Sequence, residues 1–230
     1  MPDTSTTEGV LFVVSTPIGN LQDITLRALD ILRNVDLIAC EDTRVSRKLL
    51  TRYEIKNTTV SLHARSKENA VERIVRTVIQ GSKVAYVTDS GTPSVSDPGA
   101  ALVRRVVEAG AKIVPVPGPS AVHTALAASG LAISEYTFLG FLSNKAGRRR
   151  RKLGELSTSK TVLVFYESPH RLMEFLHDVR DLFGDVPCVV GKEMTKLFEK
   201  YYRGTVGDVC GMIEHDGIRG EYTVILDNRG

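Results

Sequence analysis

The chain has 230 residues, 42% hydrophobic and 25% charged, with a formal net charge of +3, the composition of a soluble globular protein with one large domain or two modest ones. No apolar run approaches the roughly 20 residues of a membrane helix, and the polar start MPDTSTTEG lacks the apolar centre of a secretory signal. Cys40, Cys188 and Cys210 are scattered, odd in number and without a CxxC spacing, which points away from a disulfide framework or a zinc site and towards a reducing cytoplasm.

Residues 1–9 read as a disordered lead-in. Strand-like and helix-like stretches then alternate. Val10–Ser15 reads as strand, Thr25–Asn34 as helix, Leu37–Cys40 as strand and Thr43–Tyr53 as helix. Thr59–Leu62 follows as strand, Glu68–Gln80 as helix, Lys83–Val87 as strand, Pro98–Ala109 as helix and Lys112–Val116 as strand. Short β-branched runs with helices between them predict βαβ units and a mostly parallel sheet. Ala70, Val71, Ile74, Val75, Val78 and Ile79 keep the helical period. Thr25 suits a helix cap, and Pro98 suits a first helical turn.

After Pro119 the pattern changes. Ser120–Ser129 reads as an alanine-rich helix closed by Gly130. Phe138–Leu142 reads as strand, followed by a basic segment. Thr161–Tyr166 is a strand, Pro169–Phe183 a helix, Pro187–Lys192 a strand, Lys200–Gly204 an edge strand, Val206–Glu214 a helix and Tyr222–Asp227 a last strand. Adjacent strands without full crossovers predict a mixed sheet. The expected fold is α/β: residues 10–118 form one subdomain with a mostly parallel sheet. Residues 119–230 form a second with a mixed sheet, and a ligand cleft lies between the two.

Four apolar runs each end in a loop rich in Pro, Gly and small residues: VLFVVS before TPIGNL, KVAYV before TDSGTPSVSDPG, KIVPV before PGPSA, and KTVLVFY before ESPHR. Strand–loop–helix units place ligands at the carboxyl ends of their strands. The dinucleotide fingerprint GxGxxG and the phosphate loop GxxxxGK[ST] are absent, as are the GxSxG elbow and HExxH. No His or Cys pair has metal-ligand spacing. What remains is backbone: Gly19, Gly91, Gly99 and Gly118 admit close approach to the main chain, and Pro17, Pro93, Pro117 and Pro119 stiffen it. Any one of these loops taken alone reads as a tight turn; the four together predict a pocket. Separately, Arg148, Arg149, Arg150, Arg151 and Lys152 form a basic block beside Lys145. It reads as either a phosphate-contacting surface or a solvated helix face.

The ordered set TPIGNLQDITLRAL, ACEDTR, DSGTPSVSDPG, VPGPSAV, YESPHR and GEYTVIL resembles the tetrapyrrole methylase-like fold, the class III methyltransferases that use S-adenosyl-L-methionine. Within it, TPIGN with EDTR and YESPHR is most similar to the RsmI group of bacterial enzymes, which methylate a ribose 2′-hydroxyl of a cytidine in 16S rRNA. The likeness runs from about Val10 to about Asp227. It implies a cytoplasmic homodimer that acts on 16S rRNA or the small ribosomal subunit, with no metal. The donor would meet Ile18 in the first loop, Gly91, Thr92, Pro93 and Val95 in the second, and Ser120 and Ala121 in the third. Tyr166 and Glu167 would close the site from the second subdomain. Relatives acting on small molecules resemble GDP in the second loop, where this chain has Gly91-Thr92-Pro93. An acidic donor contact is therefore lost, and Thr92 would serve by hydroxyl or backbone. RsmI-like proteins commonly extend further beyond the last strand; a truncation there would remove part of the RNA-contacting surface.

A 2′-hydroxyl attacks a methyl only as it loses its proton, so such an enzyme needs a proton acceptor or a polarising group. Glu167, Lys192 and Asp42 are the catalytic candidates, drawn from a wider set with Glu41, Arg44, His170, Arg171 and Glu193. Asp42 reads equally as a helix cap, and His170 as a solvated residue at a helix start. Arg171 suits a phosphate or an internal ion pair. Arg44, Arg171 and the block Arg148–Lys152 are the candidate RNA contacts, of a kind that gives salt-dependent affinity and little sequence information. Tyr201 and Tyr202 suit base stacking or an amphipathic edge strand; His63, His123, His177 and His215 share no spacing. The competing readings are a methyltransferase acting on a tetrapyrrole or other small molecule, and a non-catalytic RNA-binding module.

Overall fold

A computed structural model describes residues 8–62, 68–95 and 99–230. Met1–Thr7 of the lead-in, His63 and the helix-start proline Pro98 lie outside the described residues. The chain divides into two compact units, Met1–Ser120 and Ala121–Gly230.

The first unit is a parallel sheet of β1 (Val10–Val14), β2 (Leu37–Cys40), β3 (Thr59–Ser61), β4 (Lys83–Val87) and β5 (Lys112–Val116), in the order β3-β2-β4-β1-β5. Its helices are α1 (Leu26–Asn34), α2 (Thr43–Arg52), α3 (Glu68–Ile79) and α4 (Gly99–Glu108). Strand alternation divides the core. Val14, Ile38, Cys40, Ala85, Val87 and Val116 pack with Ala28, Leu29 and Leu32 of α1 and Leu49 and Leu50 of α2. Leu11, Ala39, Val84 and Tyr86 pack on the other face with α3 and α4. Burial on both faces explains why these strands are continuously apolar. Thr25 caps α1 by accepting the N–H of Ala28 at 3.1 Å, as the sequence predicts. One 3₁₀ turn, Leu21–Asp23, was not legible in it.

The second unit begins with α5 (Ala121–Ala127). Its sheet contains β6 (Tyr136–Phe141), β7 (Val162–Glu167), β8 (Pro187–Lys192), β9 (Lys200–Thr205) and β10 (Tyr222–Asp227), in the order β6-β7-β10-β8-β9. Only β6 and β7 pair in parallel; the other pairings are antiparallel. The sheet is mixed, and β9 is an edge strand, as expected. The basic segment folds as α6 (Ala146–Leu156), followed by α7 (Leu172–Phe183) and α8 (Val206–Asp216). These helices cover the face presenting Leu163, Phe165, Cys188, Val190, Tyr202, Val224 and Leu226. Thr205 caps α8 in a reciprocal box with Asp208. Among the described residues no helix is long and apolar enough to cross a membrane.

Candidate functional site

The loops after β1, β4 and β5 meet at the carboxyl end of the first sheet. β1 lies between β4 and β5, while the chain leaves β1 for β2 on the far side of β4. Successive connections therefore diverge here, at a topological switch point. Thr16 and Gly91 exchange two backbone hydrogen bonds, 2.9 and 3.1 Å. The Thr16 hydroxyl donates to the carbonyl of Thr88 at 3.1 Å. The Thr92 hydroxyl donates to the carbonyl of Pro119 at 3.2 Å and lies 3.4 Å from the Ser15 hydroxyl, which donates to it. One threonine thus ties the second loop to the other two.

Two glycines permit this geometry for different reasons. Gly91 has φ +81°, and a Cβ there would meet only Ile18 Cγ2 at 3.4 Å and Pro119 O at 3.9 Å. Its requirement is conformational. A Cβ on Gly118 would stand 3.0 Å from Ser15 Cβ, so its requirement is space between loops. Ser94 holds a positive φ of 69° without being glycine, and its hydroxyl is buried with no hydrogen-bond partner among the described residues. A strained residue with an unmet polar atom marks a place where a ligand can complete the bonding. Nothing in the sequence signals Ser94 beyond its place after Pro93. These features fit the predicted donor loops: Ile18, Gly91 and Pro93 are buried, Thr92 is half-buried, and Val95 is exposed. The Thr92 hydroxyl is committed to Pro119, which leaves its backbone for a ligand. Ser120 ends the first unit and Ala121 opens the second.

Beside these loops, Glu41, Asp42 and Asp89 form a hydrogen-bonded group. Glu41 Oε2 accepts the Thr88 hydroxyl at 2.7 Å, and Asp89 Oδ1 accepts the N–H of Asp42 at 3.0 Å. Burial, then the neighbouring Glu41 and Asp42, push the Asp89 carboxyl above its usual range. Asp42 caps α2, accepting the N–H of Arg44 at 2.8 Å and its guanidinium at 2.6 and 3.1 Å. The side-chain and backbone hydrogen bonds from Arg44 hold it down at about 2. A carboxylate so stabilised is a poor proton acceptor, so Asp42 takes the capping role. Arg44 is exposed but engaged with Asp42.

In the second unit, register places Glu167, Tyr222, Lys192 and Lys200 in one row across β7, β10, β8 and β9. Opposed residues share a face, here the face covered by α6, α7 and α8. Tyr166 leaves by the other face, against Phe138 and Phe141 at ring-centroid distances of 4.9 and 5.5 Å. Strand alternation thus sends the Tyr166 and Glu167 side chains to opposite faces of the sheet. Glu167 is 2% exposed. Its Oε1 accepts from Arg171 at 2.7 Å and from the N–H of Ser168 at 2.8 Å, while Oε2 is buried without a partner among the described residues. Arg171 is thus in an internal ion pair rather than on a free phosphate-binding surface. Lys192 donates to the carbonyl of Gly217 at 3.1 Å, Glu193 pairs with Lys196 at 2.9 Å, and His170 is exposed.

The basic block divides. Arg149 is 2% exposed and donates to Asp178 at 2.7 Å, with Glu174 at 3.4 Å. Arg150 donates to Asp178 at 2.5 Å and Asp181 at 3.0 Å. Both fasten α6 to α7; burial removes Arg149 from the candidate RNA contacts, while Arg150, its side chain 42% exposed, is engaged with the two aspartates. Arg148, Arg151 and Lys152 remain on the exposed side. Tyr202 is buried in the core with its hydroxyl on Asp216 at 2.9 Å, and Tyr201 lies beneath the Arg203 guanidinium at 5.0 Å. Tyr202 is therefore unavailable for base stacking.

The model of a family described as Tetrapyrrole (Corrin/Porphyrin) Methylases matches residues 10–210. Over 219 residues the chain is 41% identical to a Bacillus subtilis protein called ribosomal RNA small subunit methyltransferase I, covering 95% of this chain and 75% of that one. A Thermotoga maritima protein of the same name is 42% identical, with 96% and 99% covered. Among solved structures, a cobalamin biosynthetic enzyme, cobalt precorrin-4 methyltransferase, matches with a TM-score of 0.72 at 22% identity, over 98% of this chain and 97% of that one.

Proposed function

Because the chain belongs to the tetrapyrrole (corrin/porphyrin) methylase family and aligns over nearly its whole length with small-subunit ribosomal RNA methyltransferases, we propose that it methylates 16S rRNA at the ribose 2′-hydroxyl of a cytidine. S-adenosyl-L-methionine is the donor, and the working form is a cytoplasmic homodimer. The observation that carries this reading is the joining of three backbone-rich loops at the switch point of the first sheet, with the strained Ser94 among them.

When bound, S-adenosyl-L-methionine supplies an electrophilic methyl group on a sulfonium with its own leaving group. The chain's work is then chiefly positioning. Main-chain groups of Gly91 to Val95 hold the polar parts of the donor, and Ile18 gives an apolar contact. The Thr16–Gly91 bridge and the Thr92–Pro119 bond fix the spacing of the loops before a ligand arrives, so little ordering is left to binding. Glu167 and Lys192 are the groups proposed to take or polarise the hydroxyl proton. Each already holds a partner of its own, Arg171 for Glu167 and the Gly217 carbonyl for Lys192, so a substrate hydroxyl would reach either group only by joining or displacing that contact.

The test is transfer of labelled methyl from S-adenosyl-L-methionine to unmodified small ribosomal subunits, with the modified sugar mapped. Transfer to a porphyrinoid and not to RNA overturns the reading. In single-turnover assays, Glu167→Gln and Lys192→Met should slow transfer while donor affinity is kept. Unchanged rates remove both from the chemistry.

A further inference from the structure

The split of the basic block defines a specific surface. On α6 the buried side is centred on Arg149 and Leu153. At 100° per residue, Arg148, Arg151 and Glu155 point the opposite way, with Lys152 and Lys145 at the margin. Lys145, Arg148, Arg151 and Lys152 are all exposed, and Arg151 is 79% so. Glu155 is the one acid on this side of the helix; it lies 3.3 Å from Lys152 and 4.0 Å from Arg151. Among the described residues, neither Lys145 nor Arg148 has an ionic partner.

These cations stand where a helix disfavours them. The first turn has no acidic residue, and Lys145 at the cap position makes no side-chain capping bond. The N-terminal end of a helix carries partial positive charge, which favours anions there. A first turn bearing Lys145 and Arg148 lacks that stabilisation unless an anion is supplied from outside. Meanwhile Arg149 and Arg150 anchor the helix to Asp178 on α7, so the outward cations are held on a fixed support.

We infer that the exposed side of α6, through Arg148 and Arg151 with Lys145 and Lys152 at its margins, is a phosphate-backbone contact surface for the RNA substrate. This rests on the RNA methyltransferase reading. The row is about 10 Å long at 1.5 Å per residue. It carries no aromatic residue, so it positions the RNA and does not select a base.

The experiment measures affinity for unmodified 16S rRNA against salt concentration, for the wild-type chain and for the triple variant Lys145→Gln/Arg148→Gln/Arg151→Gln. S-adenosyl-L-methionine binding and thermal unfolding serve as folding controls. Losing three contacts should lower the salt slope by about 2, at ~0.7 per phosphate. Between 50 and 200 mM salt, the affinity loss of the variant should therefore be about 20-fold smaller than that of the wild type. Donor affinity should be unchanged. If the wild type methylates small subunits and the variant keeps its full salt slope, the α6 surface is overturned and the enzymatic reading stands. If the wild type transfers methyl to no RNA, the reading falls and this surface with it.

Discussion

The Arg149–Asp178 contact offers the sharpest test of the structure. The Arg149 side chain is 3% exposed, its Nε stands 2.7 Å from Asp178, and its Nη1 already lacks a partner among the described residues. Glu174, the other acid in reach, is 68% exposed and 3.4 Å away, so water screens most of what it offers. Asp178→Asn keeps the shape and removes the charge. At an effective dielectric near 20, a pair at about 4 Å is worth about 4 kcal/mol. Breaking a buried pair by losing one partner costs about 3–5 kcal/mol, so the two routes agree. The assay is urea unfolding of the wild type, Asp178→Asn, Arg149→Met and the double variant Arg149→Met/Asp178→Leu. The double variant should recover most of the loss, because it leaves no buried charge unpaired. A cost below about 1 kcal/mol for Asp178→Asn, the scale of an exposed pair, refutes the burial argument and returns Arg149 to the surface.

Three further outcomes are expected. Gly91→Ala should weaken S-adenosyl-L-methionine binding about 5- to 30-fold by calorimetry, since an alanine at φ +81° is disfavoured by about 1–2 kcal/mol; unchanged affinity takes this loop out of the site. Thr205→Ala should cost about 1 kcal/mol in urea unfolding by removing the α8 capping box, and a neutral result would show that the cap is idle. Asp216 accepts from Lys200 and from the Tyr202 hydroxyl, which hold it down at about 2 against an ordinary 3.8. Its contribution is complete above about pH 4 and fades as pH falls towards 2. Asp216→Asn should therefore flatten that acid limb of the stability curve, and an unchanged limb would assign acid unfolding to other carboxylates.

The sequence by itself determined the alternation of strands and helices, the change of sheet type after Pro119 and the loops that form the candidate donor site. Those features are local: apolar period, β-branching, and Gly and Pro at strand ends fix φ, ψ and the buried face residue by residue. Thr25 was legible as a cap for the same reason, since its hydroxyl reaches an N–H only three residues away. Only the tertiary structure decided the fate of the charges. Whether Arg149 faces RNA or Asp178 depends on α7, 29 residues further on, and a run of arginines has no marker for which of them turns inward. Tyr166 and Glu167 look like one motif in sequence, yet they leave opposite faces of a sheet whose register is set by β10. Whether Thr92 offers a ligand its hydroxyl or its backbone is likewise decided by packing: the hydroxyl binds Pro119, a partner that comes within reach only once β4 and β5 flank β1. Side-chain chemistry can be read from the chain, but which partner satisfies it is settled by packing between segments distant in sequence.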